Sequence, residues 1–299
     1  YVTSDTSTLT VSGNTLSKSN IVSLCSWGNL AINTSVSSGS TLTLYADNDD
    51  DGTGNLSITN GITLTAGATS YHYIKGANSM SINNGTGLVI SGNTATLSGG
   101  VYLYVYVTSD TSTLTVSGTT LSETNGIYLY SWGNLDIQTN VDAGATFYLY
   151  ADYDNDGTGN FTHTSGTIST TGAYNVFIRG VNVSLGTISA QSGSKDIIVT
   201  ATGNITSNSA SFTAANVVLK TTGGSIGTSS VPIPIPANCY VDAKAPQGAV
   251  HISRTSGNMT VRNASEASNV QDFGLAITTA TYGGQSQPVG DHIVHKTTS

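Results

Sequence analysis

Charge is what this sequence has least of. Only 9% of its 299 residues are Asp, Glu, Lys or Arg, where globular domains carry roughly 25%. The 9 basic residues are nowhere clustered, which excludes the basic footprint of a nucleic-acid binder. Cysteine is reduced to Cys25 and Cys239, far apart and in no metal-ligand spacing. They could pair, but two separate thiols are the plainer reading. No apolar run approaches the roughly 20 residues of a transmembrane helix. The stretch Val101–Val107, among the longest, contains three tyrosines. No segment carries a 3.6-residue apolar period of useful length either.

What is abundant is small and polar. Ser and Thr together number 86 and Gly 34, beside 37% apolar residues and a mean hydropathy of zero. That apolar fraction can fill a core, so the chain is not of disordered composition. Net charge is −8.

The chain repeats itself. Residues 1–13, YVTSDTSTLTVSG, recur letter for letter at 106–118, and SWGNL, YAD and DGTGN recur at the same offset of 105. Over the 67 positions aligned from Tyr1 and Tyr106, 42 are identical, which marks a tandem duplication. The second copy of the opening motif continues the run VYLYVYV that starts at Val101. Tyr1 therefore sits mid-strand, and the natural protein is expected to extend upstream. Within each copy, short alternating runs such as TLTLYA, VYLYVYV, IYLYSW and DIIVTA recur every 20 to 31 residues, separated by Gly, Asn, Ser and Asp. Alternation reads as half-buried strand and the separators as corners. Units that cannot bury their own apolar face but follow one another directly are built to stack. The expected fold is all-β, a parallel β-helix of roughly ten to twelve coils. It divides into repeat copies at 1–105 and 106–210, divergent coils at 211–270, and a cap or subunit-contact tail at 271–299.

The corners Gly28-Asn29-Leu30, Gly133-Asn134-Leu135, Gly203-Asn204-Ile205 and Gly257-Asn258-Met259, with Gly224-Ser225-Ile226-Gly227 before Pro232, resemble filamentous haemagglutinin-type exoproteins. These are large secreted β-helical adhesins of bacteria. The resemblance implies a right-handed β-helix, an extracellular or cell-surface location and a role in a surface fibre or adhesin. Neighbouring coils, a further copy of the chain or surface glycans are the expected partners.

Two features look like sites. Asp47-Asn48-Asp49-Asp50-Asp51-Gly52 and Asp152-Tyr153-Asp154-Asn155-Asp156-Gly157 share the pattern D-x-D-x-D-G and hold 7 of the 17 acids. Hard oxygens at alternate positions before a turn glycine suit Ca²⁺, with Asp47, Asp49, Asp51, Asp152, Asp154 and Asp156 as candidate ligands. The twelfth positions are Ile58 and His163, where an EF-hand needs a bidentate Glu. Further ligands must then come from backbone or a neighbouring coil, and a solvated acidic turn without metal is the alternative. The second feature is tyrosine. Alternation places Tyr102, Tyr104, Tyr106, Tyr128, Tyr130, Tyr148 and Tyr150 on the face opposite the aliphatics. Such a ladder could bind glycans or stack on itself to stiffen the coil face. The first copy has Ser23, Cys25, Thr43 and Tyr45 there, so the full ladder is expected only in the second, with Cys25 pointing outward beside it.

Other classes fit less well. A polysaccharide-cleaving β-helix needs clustered carboxylates with a base, but outside the two loops the acids are scattered and the five histidines lack triad partners. The chain is therefore read as a non-enzyme. Asp291-His292-Ile293-Val294-His295 has metal-like spacing but falls in a tail expected to lack fixed structure. An ice-binding surface is suggested by Thr-x-Thr runs such as Thr8/Thr10 and Thr113/Thr115, yet the unequal coil lengths break the flat array it requires.

Overall fold

The computed structural model describes residues 1–83, 87–190, 195–236 and 239–253, together with the backbone strands Thr260–Val261, Phe273–Ile277, Thr279–Tyr282, Gln285–Pro288 and Ile293–His295. The described residues hold no helix. Turns of up to three short strands stack as a parallel β-solenoid of about ten turns. Its longest wholly parallel sheet has 11 strands. It begins at Val22–Cys25, passes through Tyr102–Val107 and Asn216–Thr221, and reaches Thr260–Val261 with every neighbouring pair parallel.

Alternation in the sequence becomes columns in the structure. Leu44, Ile74, Val105, Leu129, Leu149 and Ile178 stand in register on successive turns and are essentially inaccessible. Each such side chain contributes about 1.5–3 kcal/mol through burial. The partners of these residues along each strand face out and are half-buried, giving the repeated buried–intermediate pattern of Tyr102–Val107 and Ile127–Ser131.

The Gly-Asn corners have a physical reason. A Cβ on Gly28 would lie 2.4 Å from the carbonyl oxygen of Asp5, and one on Gly133 would lie 2.5 Å from that of Asp110. Only glycine lets the turns approach this closely. The asparagine that follows links turn to turn. The backbone N–H groups of Asn160, Asn182 and Asn204 donate to Oδ1 of Asn134, Asn160 and Asn182, at 3.0, 3.1 and 3.0 Å, and Ser225 N donates to Asn204 Oδ1 at 2.9 Å. This ladder satisfies backbone groups at a corner where strand pairing stops.

One stretch departs from parallel stacking. Met80–Asn83, Gly87–Ile90 and Asn93–Ser98 form an antiparallel meander, and the last of these rejoins the parallel stack beside Ile62–Thr65. Ser91 and Gly92 both have positive φ, at 51° and 82°, the backbone of a tight two-residue hairpin turn. The meander accounts for the long interval between the strands starting at Tyr71 and Tyr102. In the tail, Phe273–Ile277 continues parallel beside Val250–Ser253, whereas Ile293–His295 pairs antiparallel with it. Fixed strand structure at Ile293–His295 corrects the expectation of a structureless segment there. Asp291, His292 and the Gly257-Asn258-Met259 corner lie outside the described residues.

Cys25 is on the first strand of the long sheet and Cys239 just before the tenth. At about 4.8 Å per turn they are tens of ångströms apart and do not bridge. Cys25 does occupy the outward column, its Sγ 3.4 Å from Ser23 Oγ, but it is buried rather than displayed.

Candidate functional site

Three consecutive corners build the acidic site. The motif Thr3–Ser7 precedes the strand Thr8–Val11, Ser26–Gly28 precedes Asn29–Ile32, and the long loop 47–55 precedes Leu56–Ile58. These strands pair in that order. The long loop belongs to the third turn, yet it folds back across the short Ser26-Trp27-Gly28 corner to reach the first. A Cβ on Gly54 would lie 2.5 Å from Trp27 O and 2.6 Å from Gly28 O. The result brings carboxylate oxygens of Asp5, Asp49 and Asp51 within 4.8 Å of one another, all three exposed.

The second copy repeats this arrangement atom for atom in its essentials. Asp110, Asp154 and Asp156 converge to the same tolerance. Ser7 N donates to Ser4 O at 3.1 Å and Ser112 N to Ser109 O at 3.0 Å. Asp51 accepts from Thr53 N and Oγ1 at 3.0 and 2.7 Å, and Asp156 from Thr158 N and Oγ1 at 2.9 and 2.8 Å. Asp47 and Asp152 both adopt φ near 50°, as Asp50 and Asn155 adopt 61° and 65°. Asp and Asn tolerate this left-handed region better than most residues.

Sequence reasoning grouped the wrong first member. Asp47 and Asp152 turn inward and are inaccessible. Asp47 Oδ1 accepts from Asp51 N and Gly52 N at 3.0 and 3.1 Å, and its Oδ2 accepts from Thr108 Oγ1. Asp152 Oδ1 accepts from Gly157 N at 3.0 Å, but its buried Oδ2 has no hydrogen-bond partner. The third carboxylates instead come from Asp5 and Asp110, two turns away. The signal for them was present: the identical YVTSDTS heptapeptides. Ile58 and His163, at the twelfth positions, are buried in the bore and cannot reach the loop.

Electrostatics register the crowding. Desolvation, followed by the charges of Asp49 and Asp51, pushes the Asp5 carboxyl upward. Desolvation with Asp156 and Asp152 does the same to Asp110. The hydroxyl and amide of Thr53 pull Asp51 down, as those of Thr158 pull Asp156 down.

The tyrosine face is longer than expected. Tyr73, Tyr104, Tyr128, Tyr148 and Phe177 form one stack across five turns, with centroid separations of 4.6, 4.1, 5.4 and 4.8 Å. Tyr71 stacks on Tyr102 at 4.7 Å, and Tyr106 on Tyr130 at 4.9 Å, with Tyr150 edge-on to Tyr130. The first copy therefore takes part through Tyr71 and Tyr73, correcting the expectation that the full ladder belongs to the second. The parity of the run Tyr71–Gly76 hid them, because a histidine, His72, occupies its inward position.

The two features meet. Tyr45, Tyr106, Tyr130, Trp132 and Tyr153 line a cleft of about 260 Å³ beside the first loop, with Lys75 and Asp50 at its edge. Lys75 Nζ lies 2.5 Å from Asp50 and 5.6 Å from the centre of the Tyr45 ring. Burial pushes the Tyr45 phenol up to about 12.

No protein-family model, curated protein or solved structure matches this chain. The likeness to filamentous haemagglutinin-type exoproteins rests on the corner motifs alone. Among the described residues no helix is long and apolar enough to cross a membrane.

Proposed function

We propose that this chain is a structural segment of an extracellular bacterial surface fibre or adhesin, a stiff rod that holds loops and aromatic surface away from the cell. The observation that carries this reading is the 11-stranded parallel sheet, continuous through both copies, with its outer face stiffened by stacked rings. Stability in such a stack is a sum of turns and of the interfaces between them, so added turns extend the rod. The corner motifs of filamentous haemagglutinin-type proteins, the scarcity of charge and the Ser/Thr-rich outer face support a secreted location.

The test is direct. Antibodies raised against the chain should label intact cells of the bacterium that makes it; label confined to permeabilised cells refutes the surface role. Negative-stain imaging of the purified chain distinguishes single rods from head-to-tail filaments.

A second reading is favoured by the aromatic cleft. Tyr106, Tyr130, Trp132 and Tyr153 line it beside a carboxylate and an ammonium group, the combination that sugar rings and their hydroxyls engage. Screening a glycan array with the chain and with Trp132→Ala tests it: a signal lost in the variant supports a glycan-binding module, and a blank array leaves an inert stalk.

A further inference from the structure

We propose that Tyr104 and Tyr128 form an oxidative cross-linking site, at which a peroxide-driven one-electron oxidant joins their rings as dityrosine. The two residues are register partners on neighbouring parallel strands. Their ring centroids lie 4.1 Å apart and their planes 4° from parallel, the closest and flattest tyrosine pair among the described residues. Register partners in a parallel ladder project to the same side of the sheet. Rings stacked in this way are related by translation, so matching carbons stand about 4 Å apart, close to van der Waals contact.

The chemistry follows from the phenol. Loss of one electron and the hydroxyl proton leaves a phenoxyl radical with unpaired spin on the carbons ortho to the oxygen. Two such radicals form one carbon–carbon bond between ortho carbons. The hydrogens on those carbons then pass to the oxygens as the rings regain aromaticity. The two electrons and two protons given up reduce one hydrogen peroxide to two waters, through a haem peroxidase. Phenols already held in contact need no diffusional encounter, only a swing from face-to-face to edge-to-edge. Both side chains face outward and are half-buried, so this swing does not disturb the bore.

The neighbours in the stack are less well placed. Tyr73 lies 4.6 Å from Tyr104 but 29° out of parallel, and Tyr148 lies 5.4 Å from Tyr128. Phe177, beyond Tyr148, has no hydroxyl to oxidise. The bond joins Tyr102–Val107 to Ile127–Ser131, and so ties one repeat copy to the next. That junction is where the other ladders are interrupted. Leu121–Glu123 pairs with Val141–Ala143 on one edge and with no described strand on the other. A cleft of about 490 Å³ lies there, with Leu97, Gly99 and Gly100 on its wall together with Ser122, Glu123 and Thr124. A covalent staple across the junction restricts the unfolded chain as a disulfide does. The coupling needs only the ring stack, and its failure would leave the reading of the chain as a surface rod untouched.

Oxidation of dilute chain by limiting hydrogen peroxide and a haem peroxidase, followed by proteolysis and mass spectrometry, tests the proposal. The expected main product is a single chain two hydrogens lighter, fluorescent as dityrosine, with the peptides carrying Tyr104 and Tyr128 joined. Tyr104→Phe and Tyr128→Phe keep the rings and should each lose this product, whereas Tyr148→Phe should retain it. The oxidised chain should melt several degrees above the untreated one. Chain unfolded in urea and treated alike should show no preference for this pair. Absence of dityrosine, a main product joining other tyrosines, or chains linked to one another through the more exposed Tyr1, Tyr153 or Tyr174 would each overturn the assignment. So would a product that survives either substitution, the same preference in urea, or a melting temperature unchanged by the bond.

Discussion

Asp47 and Thr108 lie 61 residues apart in the chain, and the threonine hydroxyl donates to a buried oxygen of the aspartate. This contact joins the first acidic loop to the second copy of the YVTSDTS motif, so the two duplicated corners form one continuous column. Thr108→Val keeps the shape but removes the donor and leaves the buried carboxylate one partner short. The expected cost is about 1–3 kcal/mol, measured as a lower urea midpoint for the variant.

The asparagine ladder should behave as a set of separate rungs. Asn182 Oδ1 accepts from Asn204 N at 3.0 Å, and Asn182 N donates to Asn160 Oδ1 at 3.1 Å. Asn182→Ala removes the acceptor for Asn204 N but leaves Asn160 Oδ1 to accept from the backbone N–H at position 182. A loss of about 1–2 kcal/mol is expected. Amide hydrogen exchange should quicken at Asn204 while the backbone N–H at position 182 stays protected.

Two histidines sit in the bore, and the duplication supplies their controls. His72 bonds Leu64 O through Nε2 at 3.2 Å, while neither ring nitrogen of His163 has a hydrogen-bond partner. Burial lowers the proton affinity of both. The unfolded chain binds protons on these rings below about pH 6.5 and the folded chain does not, so the stability they allow is present above that pH and is lost as pH falls toward the depressed folded values. The other copy carries Val176 where the first has His72, and Ile58 where the second has His163. His72→Val with His163→Ile should flatten the decline of melting temperature between pH 6.5 and 5, leaving the remaining slope to carboxylates.

The ring stack makes a prediction at the opposite end of the pH scale. Tyr104 lies between Tyr73 and Tyr128, so Tyr104→Ala forfeits two stacking contacts, about 1–3 kcal/mol. Tyr104→Phe, which keeps the ring, should stay within about 0.5 kcal/mol of the unaltered chain. Burial raises the phenols of Tyr104, Tyr130 and Tyr45, the last to about 12. Their neutral forms favour the fold, so stability is intact below pH 10 and falls as pH rises toward 12. Phenolate absorbance of these rings should therefore appear together with loss of the β circular-dichroism signal.

Most of the fold was legible because alternation and corner residues are local. Val101–Val107 announces its inner and outer faces in seven letters, and Gly28-Asn29 announces a corner. What was missed depends on which turns meet. Asp5 is a single acid in a Ser/Thr-rich stretch, and only the backfolding of loop 47–55 across Trp27 brings it to Asp49 and Asp51. Asp47 looks like the other aspartates until its left-handed backbone turns it inward. Tyr71 and Tyr73 were hidden by His72, a polar residue in an apolar column. The antiparallel meander rests on Ser91-Gly92, a short turn signal submerged in a chain where such pairs serve as corners.

The central claim is that the turns stack in register along one axis, and distances along the outer column of the long sheet test it most directly. Ser23, Phe177 and Val218 occupy that column six and eight turns apart. With both native cysteines replaced by serine, spin labels at Ser23 and Phe177 should be about 29 Å apart, and labels at Ser23 and Val218 about 38 Å, at about 4.8 Å per turn. A distance that fails to grow between the two pairs would contradict the stacked solenoid.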